Sequence, residues 1–572
     1  MTDIRRTVLW VVFTMSLVLL WDGWQKHNGH PSMFSPTPPK AVSTAPGTPA
    51  SAGVPAATAA VSGQVPTPVS VPVAAPSEKV VIRTDVLTVT VDTLGGDIVR
   101  AELPKYLTSP DPTVTDQLLQ MVRLKQPAPF TPEPVVLFNA GQQYRAQTGL
   151  VGGAGPLPTH NTPMTAVEGP RELVAGQDEV QLRLESAEVG GVKLVKTFTF
   201  KRGAYTVGVT HEVINAGSAA VTPQVYLQLV RDGSTVTGGA AFTPSFTGPA
   251  IYNDKAKFKT ITFEDIDKNK VNIEKQADDG WVSMIQHYFA SAWLVNEPGK
   301  REFFVHKRAG QAGVQGDTYA TGMVFTLPTL APGASTTQKA TLFAGPQEEN
   351  NLAKLAPGLE RVKDYGMLTI LAEPLFWLLD KLHGFIGNWG WTIVALVLLL
   401  KIALYGLNAS AYKSMARMKA VAPRINEMKE RLKDNPQQMQ QEMMKIYREE
   451  KINPIGGCLP IFLQMPIFMA LYWVLLSTVE MRQAPWTLWI TDLSVRDPYF
   501  ILPLLMMLTS LFQVWLNPPA ADPMQQKMMW IMPVAFGVMF FVFPAGLVLY
   551  WLTNNILSIA QQWMINRQLG VN

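Results

Sequence analysis

The chain has a single cysteine, Cys458, in 572 residues. That excludes an intrachain disulfide, a cysteine-cluster metal site and a lipid-modified cysteine near the N-terminus. Histidine is equally sparse: there are 7, and none lies between Ile386 and the C-terminus. No His-Glu-x-x-His or Gly-x-Ser-x-Gly pattern occurs, and the apolar runs of the last third hold no convincing aspartate pair. An enzyme working in those runs would have neither nucleophile, metal nor acid–base couple. No catalytic residue, metal ligand or cofactor is therefore expected. Net charge is only +4, which excludes the basic surplus of a nucleic-acid-binding protein. Where the basic residues lie matters more than how many there are.

One of them is out of place. Lys401 lies in the apolar run Trp391–Tyr405, twelve residues after Trp389 and twelve before Lys413. At ~1.5 Å per residue each flank is about 18 Å long. The charge then sits near the middle of a membrane span, too deep for an easy snorkel. A cation there costs roughly 2.5–3.5 kcal/mol on insertion scales, and such residues face a bundle interior or a wet cavity. A lysine close to a helix end is the plainer alternative; the functional cavity is the favoured reading.

Residues 1–30 read as an N-terminal transmembrane anchor. Arg5 and Arg6 precede an apolar stretch, the 21 residues from Ile4 to Trp24 suffice to cross, and no small-x-small cleavage site follows. The arginines put the N-terminus in the cytoplasm. Residues 31–79 are mostly Pro, Ala, Val, Ser, Thr and Gly, a flexible linker. From 80 to 345 short runs alternate: Leu87, Val89 and Val91, then Val180, Leu182 and Leu184, then Val192–Phe200, the turn Lys201–Gly203 and Tyr205–Val209. Period-two strands between Gly and Pro turns predict a large antiparallel β-sandwich outside the cytoplasm. Residues 346–387 contain an expected amphipathic interfacial helix, with Leu368, Leu371, Leu375, Leu378, Leu379 and Leu382 at helical spacing. A soluble helix packed on the β-domain is the alternative there.

Residues 388–572 read as a membrane core. Four spans follow the one holding Lys401, at about Cys458–Thr478, Pro498–Leu516, Met528–Phe543 and Ala545–Met564. With the anchor this makes six spans, five of them in the core. The loop from Asn408 to Cys458 has ten basic residues against six acidic, and the opposite loop, Val479–Asp497, has two against three. The basic loop belongs in the cytoplasm, in agreement with Arg5 and Arg6. Within it Met418, Val421, Ile425, Met428 and Leu432 form a helical stripe, Asp434–Pro436 a turn, and Met439, Met443 and Ile446 a second stripe. This is a helical hairpin over 410–451, with Pro423 expected to bend its first arm. The span Met528–Phe543 has 16 residues, about 24 Å against a hydrocarbon core of ~30 Å, which favours local thinning. Of 25 methionines, 17 fall in 409–572, adaptable apolar surface or ordinary core filler.

In the last span Asn554, Ser558 and Gln561 share a helix face, and Thr553, Asn555 and Gln562 add polar groups. Interhelical hydrogen bonding accounts for any one of them. With Lys401 they are expected to line an aqueous groove.

The segments Asn453–Phe468, Arg482–Pro485, Leu488–Ile490, Asp497–Tyr499, Asp522–Lys527 and Phe543–Tyr550 resemble the YidC-type membrane protein insertases of Gram-negative bacteria, in the YidC/Oxa/Alb family. They spread over roughly 386–566. The β-domain matches mainly by placement and by Thr93–Asp97, and the family's domain there looks like a sugar-binding sandwich, which does not establish sugar binding. The resemblance implies that Lys401 is the groove cation that attracts the acidic part of an incoming chain. The common residue is arginine, so this chain departs from the pattern and loses a planar fork of donors. Trp551 stands where an aromatic, often tyrosine, contacts substrate. The implied groove comprises Lys401, Gln464, Met465, Tyr550, Trp551, Asn554, Ser558 and Gln561. The implied cytoplasmic contact surface comprises Arg417, Lys419, Arg424, Lys429 and Arg431. The tail ends soon after the last span, without a long basic ribosome-binding extension.

What this implies is a non-enzymatic insertase and chaperone of the bacterial inner membrane, its large domain in the periplasm. Its partners would be nascent membrane proteins, the Sec translocon with accessory subunits, ribosomes and membrane lipids, with no direct nucleic-acid binding. A small-solute transporter is one rival; it calls for a paired acidic residue or interrupted repeat helices near midplane, and neither is apparent. A membrane-anchored sugar-binding enzyme is the other. Its only histidines in the β-domain, His160, His211, His287 and His306, are scattered.

Overall fold

The computed structural model describes residues 77–568, except 111, 113, 122–123, 127–128, 153–154, 235–245, 309–315, 433–434, 451–458 and 518–522. The expected anchor Ile4–Trp24, nearly all of the linker, and Asn453–Cys458 lie outside the described residues. Among the described residues two compact units emerge, one within 1–108 and 131–363, the other within 109–130 and 364–572.

The first unit is built from two nine-stranded sheets. One runs Lys79–Arg83, Thr88–Asp92, Asp97–Leu107, Arg145–Val151, Gln224–Asp232, Thr318–Thr326, Arg301–Arg308 and Gln276–Ala277, with Pro134–Val136 beside the third strand. The other runs Lys257–Thr260, Gly248–Asn253, Trp281–Gln286, Phe289–Leu294, Ser335–Pro346, Thr206–Asn215, Val192–Lys201, Glu179–Ser186 and Met164–Ala166. Period-two patterning explains the inward faces: Val180, Leu182 and Leu184 are buried along one strand while Glu179, Gln181 and Arg183 are exposed. The Lys201–Gly203 turn joins Val192–Lys201 to its antiparallel partner Thr206–Asn215, and Gly203 supplies the φ of 69° that the turn needs.

Polar groups also stitch the sheets together. The Trp293 indole donates to the Gln228 carbonyl at 3.1 Å, and Tyr144 pairs with Ser291. Lys196, fully buried, donates to the carbonyls of Gly95 at 2.5 Å and Thr148 at 2.8 Å. A buried ammonium without such acceptors would carry a large desolvation cost.

The second unit is helical. It comprises α1 (Val114–Met121), α2 (Thr369–Ile386), α3 (Trp389–Ala403), α4 (Tyr405–Arg431), α5 (Pro436–Glu449), α6 (Leu459–Ser477), α7 (Ile501–Leu516), α8 (Pro523–Met539) and α9 (Ala545–Gln568). Its core gathers Phe376 and Leu379 of α2, Ile393 and Leu396 of α3, Leu471 and Val474 of α6, Met506 of α7 and Val548 of α9. Asn388 caps α3, its side-chain oxygen accepting from the Trp391 amide at 3.1 Å. Its amide donates to the carbonyls of Pro485 and Trp486, each at 3.1 Å, and so ties the cap to the 479–500 loop.

Among the described residues no single helix is long and apolar enough to cross a membrane by length and composition alone. The pair α3 and the first part of α4 passes together, bent by 68°. α4 continues through Pro423 to Arg431. The bend falls at Leu404, between the two helices, three residues beyond Lys401.

Two expectations are refined. α2 turns the expected leucine stripe inward, but its outer face is not wholly polar. Ala372, Phe376 and Leu379 are buried, Leu371 of the expected stripe is 40% exposed, and Ile370, Trp377 and Phe385 project outward at 87%, 60% and 91%. Leu379 is buried and Leu368, Leu375, Leu378 and Leu382 of that stripe pack against the core, so the spacing marked the packed face, and apolar residues lie on the outer face as well. Residues 109–130, between two strands of the sandwich, belong with the helical unit. Gln117 of α1 is buried and donates to the Asp497 carbonyl at 2.7 Å, and the Ser109 hydroxyl donates to the Asp492 carboxylate at 3.2 Å. Asp497 itself accepts from the amides of Tyr499 at 2.9 Å and Leu502 at 2.7 Å and from the Trp489 indole at 3.0 Å. It is the hub that fixes the start of α7.

Candidate functional site

Lys401 is half-buried on the last turn of α3. Its ammonium donates to the Ser558 hydroxyl of α9 at 2.7 Å, and that hydroxyl donates to the Asn554 carbonyl at 2.7 Å. Among the described residues no carboxylate pairs with Lys401. One turn beyond Ser558, the Gln561 amide reaches the Tyr405 carbonyl just past the bend, at 3.4 Å. The Tyr412 hydroxyl, from α4, also hydrogen-bonds Ser558. Ser558 and Gln561 thus face the α3–α4 joint, with the cation held by a neutral hydroxyl.

Other expected groove residues form a separate cluster. Gln464 of α6 donates to the Tyr550 hydroxyl at 3.0 Å. Phe468 lies against Tyr550 with ring centroids 6.0 Å apart and edge-on to Trp551 at 4.6 Å, and Trp551 also meets Phe540 at 5.3 Å. Tyr550 is buried at 2%, an aromatic of the core, while Met465 is 45% exposed and Trp551 half-buried. Aromatic pairs of this kind stiffen an apolar wall.

The remaining polar residues of α9 correct the expectation of a single polar face. Asn555 donates to Ser510 at 2.7 Å and Thr509 at 3.4 Å, and Gln562 donates to Asn517 at 3.0 Å. Thr553 bonds back to the Leu549 carbonyl at 2.8 Å. Asn555 and Gln562 therefore zip α9 to α7 and its end, roughly 80–100° around the helix from Asn554 at ~100° per residue.

In the hairpin, Ile425 and Met428 of α4 close on Ile446 and Tyr447 of α5, with Met418, Val421, Leu432, Met439 and Met443 around them. Arg424 is bound across the hairpin to Glu449 and Glu450, each at 3.3 Å. Arg417 and Arg431 are exposed and Lys429 half-buried; the side chain of Lys419 lies outside the described residues. The reading of the sequence missed Asn408 and Tyr412. Their signal was present: Lys401, Tyr405, Asn408 and Tyr412 step by 4, 3 and 4.

Residues 381–571 match the family model of the 60Kd inner membrane protein, and 119–378 match that of the YidC periplasmic domain. Membrane protein insertase YidC of Ralstonia nicotianae is 50% identical over 577 residues, covering 100% of this chain and 99% of the relative. That of Cupriavidus taiwanensis is 50% identical over 587 residues, covering 99% and 98%. A crystal structure of an active YidC insertase matches 85% of this chain and 92% of its own, at 18% identity and a TM-score of 0.39. The family is one of inner-membrane insertases with a periplasmic domain, not of enzymes, and neither a transporter nor a sugar enzyme finds support among these relatives. At half identity along its whole length, this chain belongs to the YidC family of membrane protein insertases.

Proposed function

We propose that the chain inserts proteins into the bacterial inner membrane by capturing their polar segments in a groove beside Lys401. The observation that carries this is the state of the charge: its ammonium rests on a neutral hydroxyl, with no carboxylate partner among the described residues. Such a cation is free to exchange Ser558 for an anionic group on an incoming chain. The Coulomb attraction between unit charges ~4 Å apart is about 4 kcal/mol at an effective dielectric near 20. That biases capture without trapping the client.

The anchor, α3, α6, α7, α8 and α9 serve as six spans, with both termini in the cytoplasm and the sandwich in the periplasm. Support for that orientation is the basic surplus of the 408–458 loop and of Arg5 and Arg6. The α4–α5 hairpin then receives ribosomes and emerging chains, the Sec translocon and its accessory subunits share clients, and the apolar helices release them into lipid. The apolar outer face of α2 rests at the membrane surface. Depleting the protein in its host and taking a census of proteins lost from the membrane tests the function. An unchanged inner-membrane inventory under complete depletion would overturn it.

A further inference from the structure

We infer that Asn408 is a second hydrogen-bond donor of the Lys401 groove, and that together the two side chains recognise a carboxylate of the incoming segment. This rests on the insertase reading given above. Asn408 occupies the middle of the stripe Lys401, Tyr405, Asn408 and Tyr412. The stripe crosses the 68° bend at Leu404, and Lys401 from one arm and Tyr412 from the other converge on Ser558. Asn408 lies between them in the stripe and is 6% exposed.

Its backbone N–H is spent on the Leu404 carbonyl at 3.1 Å, but its side-chain amide nitrogen has no acceptor among the described residues. A buried donor without a partner is costly and uncommon, so the two N–H bonds of this amide await an acceptor from outside the fold. Asparagine is also a poor helix former, so local helix stability does not favour it here. A carboxylate suits the pair: its two oxygens accept from two donors, the ammonium supplying charge and the amide supplying direction. Ser558 cannot take the place of that ligand for Asn408 as well. Its proton goes to Asn554, and its oxygen already accepts from Lys401 and faces Tyr412.

The test uses the full chain in vesicles, with a client carrying zero to three aspartates in its translocated tail and a matched series carrying asparagines. Asn408→Leu and Asn408→Asp remove the donors, whereas Asn408→Gln keeps them. The two donor-less variants are expected to lose ~3- to 10-fold of insertion on the aspartate series. The glutamine variant should retain it, and asparagine-tailed clients should change by less than about two-fold. Equal losses on both series, or no loss on either, would overturn the role of Asn408. Lys401→Ala run in parallel separates the two levels. If it shows no dependence on tail charge, the groove reading itself fails; if it does while Asn408→Leu does not, only Asn408 is wrong.

Discussion

Ser558 accepts a hydrogen bond from Lys401 at 2.7 Å while giving its own proton to the Asn554 carbonyl at the same distance. An ammonium has no lone pair, so it can only donate and the hydroxyl can only accept from it. It solvates the charge without neutralising it.

Lys401→Arg is therefore expected to keep function, since the charge is preserved. Lys401→Glu should fail most severely on clients with acidic translocated tails, and Lys401→Ala should show a defect graded with tail charge. Insertion of one client with zero to three acidic tail residues, at matched protein levels, reads this directly. A defect independent of tail charge would make Lys401 a hydration or packing residue.

The hairpin separates surface from core energetics. Arg424→Ala breaks both exposed ion pairs to Glu449 and Glu450 and should cost less than ~1 kcal/mol. Met428→Ala or Ile446→Ala empties the seam between α4 and α5 and should cost about 2–4 kcal/mol. Hydrogen exchange along both helices measures the difference. Deleting Met415–Arg448 should abolish insertion while leaving the chain in the membrane; normal insertion by a stable deletion would remove the hairpin from the mechanism.

Asp497 is expected to be more sensitive than its place in a loop suggests. Asp497→Ala removes the acceptor for two amides and an indole and should cost about 3 kcal/mol, whereas Gln117→Ala, which takes one of two donors from the Asp497 carbonyl and leaves it the Phe500 amide, should cost about 1 kcal/mol. Thermal unfolding in detergent checks the ranking. A truncation of the sandwich that keeps 109–130 tethered should be more stable than one that removes it. Equal melting of the two would show that α1 is dispensable.

Acid should loosen the sandwich. Burial lowers His160 and His211 to about 3, with Arg308 and Lys196 respectively adding repulsion, and burial lowers His306 to about 4. Between those values and the ordinary 6.5 the unfolded chain binds protons that the folded one refuses, so stability is lost as pH falls below 6.5. Asp97 opposes this, because burial raises its carboxyl despite the attraction of Lys196, and the folded state then holds one proton more. A net excess of one to two protons gives a slope of about 1–3 kcal/mol per pH unit between pH 6 and 5. Exchange in Val192–Lys201 and Thr206–Asn215, corrected for intrinsic rates, should show it. Opening energies equal at pH 7 and pH 5 would contradict the assignment.

Much of the fold was legible because strands and helices write their periods locally. Val180, Leu182 and Leu184 announced a strand, and Ile425, Met428 and Ile446 announced the hairpin seam. Lys401 stood out because a lone cation in an apolar run is costly, but it sits on the last turn of α3, at a helix end as the plainer alternative had it, rather than at mid-helix. What escaped depends on neighbours that no local pattern names. The helical angle separates Ser558 from Asn555, but only packing assigns the first to the α3–α4 joint and the second to α7. Tyr550 carried a polar hydroxyl, yet Gln464 satisfies it inside the core. Asn408 was passed over although it continues the spacing of Lys401 and Tyr405, because that spacing does not show the bend that brings Lys401 and Tyr412 to one hydroxyl.

The bond from Gln117 to Asp497 joins residues 380 positions apart. At about 5–20 residues per second, a ribosome needs roughly 20–75 s to make the second partner after the first. For that interval α1 exists without the loop it serves, while the strands on either side of it can already pair. The clasp has to wait for that loop, and once the loop exists only α7, α8 and α9 are still to be made.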